Sequence, residues 1–298
     1  MTVRKILVFG KTGQLASALA RAARSPQWQM LFLDRPACDL ENPIAAADAI
    51  GQEKPDLVIN AAAYTSVDKA EDEMEKARAI NALSPAAMAQ ACAEQDIPFI
   101  SFSTDYVFDG EKTGDYCEDD PVNPVSVYGR TKEEGEALVR RRHRRHLIFR
   151  TSWIYSAGGA NFVRTMLRLG TQAPAVRVVS DQVGKPTFAG DLAGAAMSAA
   201  QKLLQGCDSY GTYHVAGTGH ASRYDFAECI FAGARARGMK YPQTLERITS
   251  FEFPQAARRP LNSRLATAKF ESAFGISLLP WRDSLSVVLD ELAAGKSA

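Results

Sequence analysis

A tyrosine and a lysine stand four residues apart in Tyr128-Gly-Arg-Thr-Lys132. On a helix that spacing puts both side chains on one face, within reach of a common ligand. An unperturbed phenol titrates near pH ~10 and is a poor proton donor at neutrality. A neighbouring ammonium stabilises the phenolate and brings that pKa toward a useful range. The pair is therefore a proton-transfer device, although on its own it is a common pattern on solvated helices. Its meaning comes from the amino-terminal segment and from the residues around Thr104.

Near the amino terminus, Gly10-Lys-Thr-Gly13-Gln14-Leu15-Ala16 follows an apolar run and precedes a helical pattern. Glycines there permit a tight turn and let backbone N–H groups approach a pyrophosphate at the positive end of the following helix. Ala16 is small enough for the helix to pack closely on the strand. A Walker A reading of the Lys-Thr pair fails because the upstream glycine is missing. The turn predicts a dinucleotide site. About 20 residues on, Asp34 stands where a carboxylate accepts hydrogen bonds from an adenine-ribose 2′-hydroxyl, which favours NADH. Arg35 beside it suits the 2′-phosphate of NADPH, so the cofactor preference stays open.

These residues need a scaffold, and the order of elements provides one. Lys5–Gly10, Met30–Asp34, Leu57–Asn60, Phe99–Thr104 and Leu147–Thr151 read as short apolar strands. Between them lie helical stretches at Gln14–Arg24, from Pro43 onward, at Glu71–Ala93, and from Tyr128 to about Arg142. Such alternation predicts an α/β fold, a Rossmann-type doubly wound parallel sheet with helices on both faces. The regularity weakens after Thr151. We expect a dinucleotide-binding domain over 1–152 and a smaller substrate-binding lobe over 153–298. A segment near 176–190, led by a strand at Val176–Ser180, is expected to return to the sheet. Two late helices are expected at Thr267–Phe274 and Trp281–Ala294.

Composition narrows the partners. The 298 residues are 46% hydrophobic and 23% charged, with a net charge of +1, which offers no general attraction to nucleic acid or an anionic membrane. Five scattered cysteines without a Cys-x-x-Cys pair suit free thiols in a reducing cytoplasm. No apolar run approaches the ~18 residues of a membrane span. The run Arg140–Arg145 reads as the closing turn of the Tyr128 helix, where cations meet the negative end of the dipole. The four histidines form no ligand pattern, and no metal is expected.

Several segments together resemble the dTDP-4-dehydrorhamnose reductases, a family of extended short-chain dehydrogenases/reductases. They are Gly10-Lys-Thr-Gly-Gln-Leu15, Asn60-Ala-Ala-Ala-Tyr-Thr-Ser-Val-Asp-Lys-Ala-Glu71, Ser103-Thr-Asp-Tyr-Val-Phe-Asp-Gly110, Val127-Tyr-Gly-Arg-Thr-Lys132, Arg150-Thr-Ser-Trp153, Asp181-Gln-Val-Gly-Lys-Pro-Thr187 and Arg259-Pro-Leu-Asn-Ser-Arg-Leu265. The resemblance runs in order over nearly the whole chain. It implies reduction of the 4-keto group of dTDP-4-dehydro-6-deoxy-L-mannose to dTDP-L-rhamnose, with NADPH or NADH, in a monomer or homodimer. It implies that Tyr128 donates the proton, that Lys132 lowers the Tyr128 pKa and holds the nicotinamide ribose, and that Thr104 holds the carbonyl oxygen. It further implies Ala62, Ala63, Thr65, Asp39 and Leu40 along the cofactor and Asp105 and Trp153 at the sugar. Lys185, Arg258 and Arg259 are candidates for the substrate diphosphate. Some members of the family are magnesium-linked dimers that use a glutamate on the first helix, but Ala16-Ser-Ala-Leu-Ala20 offers no carboxylate.

Two other functions fit the same scaffold less well. Dehydratases of the superfamily carry an Asp-Glu pair after the threonine, because elimination of water needs an extra acid and base. Here Thr104 is followed by Asp105-Tyr106. A non-catalytic regulatory subunit has no use for Thr104, Tyr128 and Lys132 together, and all three are present.

Overall fold

The computed structural model describes residues 3–23 and 26–295. Five strands of the first half, β1 (Arg4–Phe9), β2 (Trp28–Leu33), β3 (Leu57–Asn60), β4 (Phe99–Thr104) and β5 (His146–Thr151), lie parallel in one sheet. Every residue of β3, β4 and β5 is buried. Both faces of these strands must therefore be covered, as expected for a parallel sheet with helices on either side. Ile6, Val8, Ile100 and Phe149 pack on one face with Leu15 and Leu19 of the helix Gln14–Ala22. Leu7, Phe9, Val58 and Ile148 pack on the other with Ile50 and Met88. Arg24, at the expected end of the first helix, lies outside the described residues.

The strands run β2-β1-β3-β4-β5, and Gly211–His214 completes the sheet beyond β5. The chain leaves β1 in one direction for β2 and crosses to the other side for β3. That reversal opens a crevice at the carboxyl ends of β1 and β3, where doubly wound sheets bind ligands.

The strand that returns to the sheet is Gly211–His214, paired in parallel with β5. It is not the segment near 176–190. Ala175–Val179 instead pairs with Thr244–Ile248 in a separate two-stranded sheet. The reason is its alternation, with Val176 and Val178 buried and Arg177 exposed, which fits a sheet covered on one face only. Val183–Gly184 joins Ala221–Ser222 and Asn262–Ser263, and Thr187–Phe188 pairs with Ile154–Tyr155. The helix Ala189–Leu204 then packs its small residues, Ala193, Ala196 and Ala200, against the face that also buries Leu15 and Leu19. A second apolar core gathers Tyr155, Val163, Phe226, Ile230, Trp281 and Leu285. The two late helices form at Ala268–Phe274 and Trp281–Ala293.

The expected helix over Glu71–Ala93 is interrupted by a π-helical turn, Ala79–Leu83, between Met74–Arg78 and Ser84–Glu94. Pro85 has no N–H to offer the carbonyl of Asn81, so the regular ladder cannot pass this point.

Candidate active site

The glycine turn has the geometry a dinucleotide requires. Gly10 has φ of 101°, a conformation that a side chain would strain, and a Cβ there would meet the Ala61 carbonyl and Ala62 at 3.4 Å. Gly13 faces open space. The helix it precedes has no side-chain cap and no acidic residue in its first turn, so its amino-terminal N–H groups are available to an anion. Ala16 is fully buried against the sheet. A nicotinamide dinucleotide therefore fits these residues. The Gln14 side chain, by contrast, is committed to protein: its Oε1 accepts from Ser156 Oγ (2.8 Å) and Asn161 Nδ2 (2.9 Å). Its contribution to the turn is its backbone.

Asp34 follows β2 and is half-buried, whereas Arg35 is exposed, 3.9 Å from Glu41. Asp39 is exposed, and Leu40 is buried with its carbonyl accepting from Ser84 Oγ at 2.6 Å. Ala62 and Ala63 lie in the loop after β3, and Thr65 is exposed at its end. This loop is held by Asn81, which sequence reasoning missed. Asn81 Oδ1 accepts from the Tyr64 N–H (2.9 Å), and its Nδ2 donates to the Tyr64 carbonyl (3.1 Å) and to Thr131 Oγ1 (3.2 Å). A buried asparagine in a small-residue helix, four residues before a proline, was the available signal.

Tyr128 and Lys132 lie on the helix Val127–Arg142, whose first turn is capped by Ser126 Oγ accepting from the Gly129 N–H. Gly129 brings this helix against the end of β4: a Cβ there would lie 2.2 Å from the Tyr106 carbonyl oxygen. The result is that the Tyr128 phenol interacts with the Thr104 hydroxyl and packs edge-on against Tyr106. Thr104 Oγ1 donates to Asp105 Oδ1 (3.0 Å) and accepts from the Tyr106 N–H (3.2 Å).

Burial dominates the electrostatics of the site. Burial pushes the Tyr128 phenol above its usual range, and the charges of Asp105 and Tyr106 add to the effect, while the Thr104 hydroxyl works the other way. Lys132 is not among the groups that shift it. Its buried ammonium donates instead to the Phe102 carbonyl at 2.7 Å. Burial pulls Lys132 down to about 8, and the Glu136 carboxylate opposes this. The ammonium is thus anchored on a backbone carbonyl of β4. Asp105 is fully enclosed, one of its oxygens has no partner, and burial raises its carboxyl to about 6. Glu136 is held in the opposite sense: despite burial, the Arg150 guanidinium at 2.7 Å keeps its carboxyl below the usual range.

Trp153 has φ of 47°, unusual for an aromatic residue. Its ring packs against Gly184, where a Cβ would lie 2.5 Å from the indole. The Arg223 guanidinium carbon stands 3.6 Å from a ring centroid. Of the three cations expected at the diphosphate, Arg259 reaches this cluster, with 2.6 Å to Asp68 and 3.4 Å to the Tyr106 hydroxyl. Lys185 pairs with Asp115 at 3.2 Å, and exposed Arg258 stands 3.6 Å from Glu111. Among the described residues no group of three or more His, Cys, Asp or Glu could hold a metal. No helix among them is long and apolar enough to cross a membrane.

A tyrosine and a threonine hydroxyl with a buried ammonium one helical turn on, in a chain that opens with a dinucleotide turn, suit reduction of a carbonyl. The family model described as the RmlD substrate binding domain matches residues 4–294. A dTDP-4-dehydrorhamnose reductase of Sinorhizobium fredii is 43% identical over 99% of this chain and 100% of that protein. The chain belongs to the dTDP-4-dehydrorhamnose reductase family. The Escherichia coli K12 reductase is 40% identical over 96% of the chain and 97% of its own length. Among solved structures, the dTDP-4-dehydrorhamnose reductase of Clostridium acetobutylicum superposes with a TM-score of 0.90 and 37% identity, covering 97% of this chain and 99% of that one. That of Bacillus anthracis, in complex with NADP, gives 0.89 and 33%, covering 97% and 100%. Membership of this family accounts for the position of the Thr104–Tyr128 pair at the carboxyl end of β4. It does not by itself account for Arg223.

Proposed function

We propose that this chain reduces the C4 ketone of dTDP-4-dehydro-6-deoxy-L-mannose to give dTDP-L-rhamnose, using NADPH or NADH. The observation that carries the reading is the Thr104–Tyr128 hydroxyl pair beside the glycine turn, followed by Asp105-Tyr106 and not by an Asp-Glu pair. The turn at Gly10–Gly13 and the free amino-terminal N–H groups of the first helix hold the pyrophosphate of the cofactor. Bound there, the reduced nicotinamide supplies hydride to the ketone carbon.

The chain's own residues do the rest. Thr104 Oγ1 and the Tyr128 hydroxyl bind the carbonyl oxygen, where negative charge grows as the ketone is reduced, so their hydrogen bonds strengthen in the transition state. Tyr128 delivers its proton to that oxygen. Burial keeps the phenol protonated until the ketone oxygen gains negative charge and becomes basic enough to take its proton. Lys132 holds a positive charge one helical turn from the tyrosine, which favours the phenolate left behind. The exposed part of Trp153, beside Arg223, contacts the sugar. Free thiols at Cys38, Cys92, Cys117, Cys207 and Cys229 suit a reducing compartment, and we place the reaction in the cytoplasm.

Purified chain given NADPH and dTDP-4-dehydro-6-deoxy-L-mannose should oxidise one cofactor per sugar reduced and should leave dTDP-glucose unchanged. A dehydratase, and most epimerases, return the hydride and show no net cofactor change. Dehydration of dTDP-glucose without net oxidation would overturn the reading.

A further inference from the structure

Arg223 is placed at a site with several electrostatic costs. It is the first residue of the helix Arg223–Ala236, where the dipole disfavours a cation. Its guanidinium carbon lies over Trp153, 3.6 Å from the ring centroid, with the Phe162 ring at 5.2 Å. Among the described residues it forms no side-chain hydrogen bond and no ion pair. Asp105 and Tyr106 act on it only through space, and the second guanidinium, that of Arg259, repels it. Burial and that repulsion both favour its neutral form. Arg259 has its own carboxylate, Asp68, at 2.6 Å. The ordinary solvated Asp or Glu that a surface arginine finds is missing here, although the side chain is only partly exposed.

Each of these costs falls when an anion lies against the guanidinium. A neutral ligand would satisfy hydrogen bonds but would leave the repulsion and the dipole uncompensated. In the nucleotide sugar that the proposed reaction uses, the diphosphate is the only charged group. It is attached at C1, across the ring from C4. A cation that holds the diphosphate therefore fixes the end of the sugar opposite the reacting carbon.

We propose that Arg223 binds the substrate diphosphate, with Arg259 beside it and Trp153 as the ring on which the guanidinium rests. This inference rests on the proposed function and assigns a positioning role to a residue outside the catalytic pair. A planar, always-charged donor fork suits phosphate oxygens, and Arg223 is unpaired among the described residues, whereas Lys185, Arg258 and Arg259 each stand against a carboxylate.

The test is calorimetric titration of the purified chain with dTDP, thymidine and NADPH, on wild type and on Arg223→Met, whose stem still covers Trp153. Loss of hydrogen bonds to a charged group should weaken dTDP about 10- to 150-fold in the variant. Thymidine and NADPH affinities should not move. Unchanged dTDP affinity in Arg223→Met overturns the proposal, as does an equal loss for thymidine, which would place the contact on the nucleoside. If the Met variant no longer binds NADPH, Arg223→Gln replaces it and is read by the same two criteria. A wild type that binds dTDP no better than thymidine refutes the anion site outright. Whether that wild type still oxidises NADPH with the keto sugar then decides separately whether the proposed reaction stands.

Discussion

Replacing Gly129 with alanine tests how the site is assembled, because it adds one methyl group and touches no reacting atom. A Cβ at Gly129 would lie 2.2 Å from the Tyr106 carbonyl oxygen and 3.0 Å from Pro124 Cβ. Real Cβ contacts essentially never fall below 3.0 Å, so the helix must retreat from β4 by about 1 Å. The obstructing atom is backbone, which cannot rotate away. Tyr128 precedes Gly129 and must move with it, away from Thr104. A misplacement of about 1 Å costs on the order of 100-fold in rate, and the overpacking costs about 1–3 kcal/mol of stability. Steady-state kcat and the urea-unfolding midpoint of Gly129→Ala report the two effects, with NADPH affinity as the check that the glycine turn is intact. Gly51→Ala is the control. Gly51 faces open space on the helix Pro43–Glu53, so alanine should stabilise by about 0.5–1 kcal/mol and leave kcat alone. Wild-type kcat in Gly129→Ala would refute the claim that this contact sets the Tyr128–Thr104 distance.

Three further outcomes follow from the same geometry. Tyr128→Phe should retain NADPH binding and lose about 10²–10⁴ in turnover, since only the proton donor is removed; turnover within a few-fold of wild type would reassign the donor. Arg35→Ala should raise KM for NADPH roughly tenfold and leave NADH unaffected, because exposed Arg35 meets only Glu41 at 3.9 Å and is free to take a 2′-phosphate; an equal change for both cofactors would show that it points elsewhere. Burial places the Lys132 ammonium at about 8, so it is charged below that pH and loses its charge above it. Turnover should therefore fall on the alkaline side near pH 8, and Glu136→Gln, which removes the carboxylate that raises the Lys132 pKa, should move that limb to lower pH. A limb that stays in place would detach it from Lys132.

How much could be read from the chain depended on how local the determining signal was. The strands β1 to β5 were visible because each is a short apolar run bounded by turn residues, and strands buried on both faces require such runs. Tyr128, Lys132 and the Gly10–Gly13 turn were visible because their spacing carries the chemistry. Gly211-Thr-Tyr-His214 was hidden because it is short, half polar and flanked by turns, and its place is set by the open edge of β5. The segment 176–190 was misplaced because alternation in Val176-Arg177-Val178 marks a strand but not its partner. Arg223 was invisible for a different reason. Nothing in Ser222-Arg-Tyr-Asp225 beyond a capping box marks it, and its significance arises only when Trp153, some 70 positions earlier, is seen beneath it.

The late arrival of Gly211–His214 has a consequence for synthesis. Until that strand pairs, the outer edge of β5 exposes backbone N–H and carbonyl groups on a strand whose six residues are otherwise all buried. The helix Ala189–Leu204, which covers one face of the same sheet, is also made after β5. Between Thr151 and Gly211 a ribosome moving at about 5–20 residues per second spends roughly 3–12 s. For that interval the nascent chain carries an open, apolar β-edge, a template for pairing with its neighbours on the same message. A gene truncated near residue 152 would make that transient state permanent, so the nucleotide-binding half is not a separable module. Its last strand is encoded in the other half of the gene.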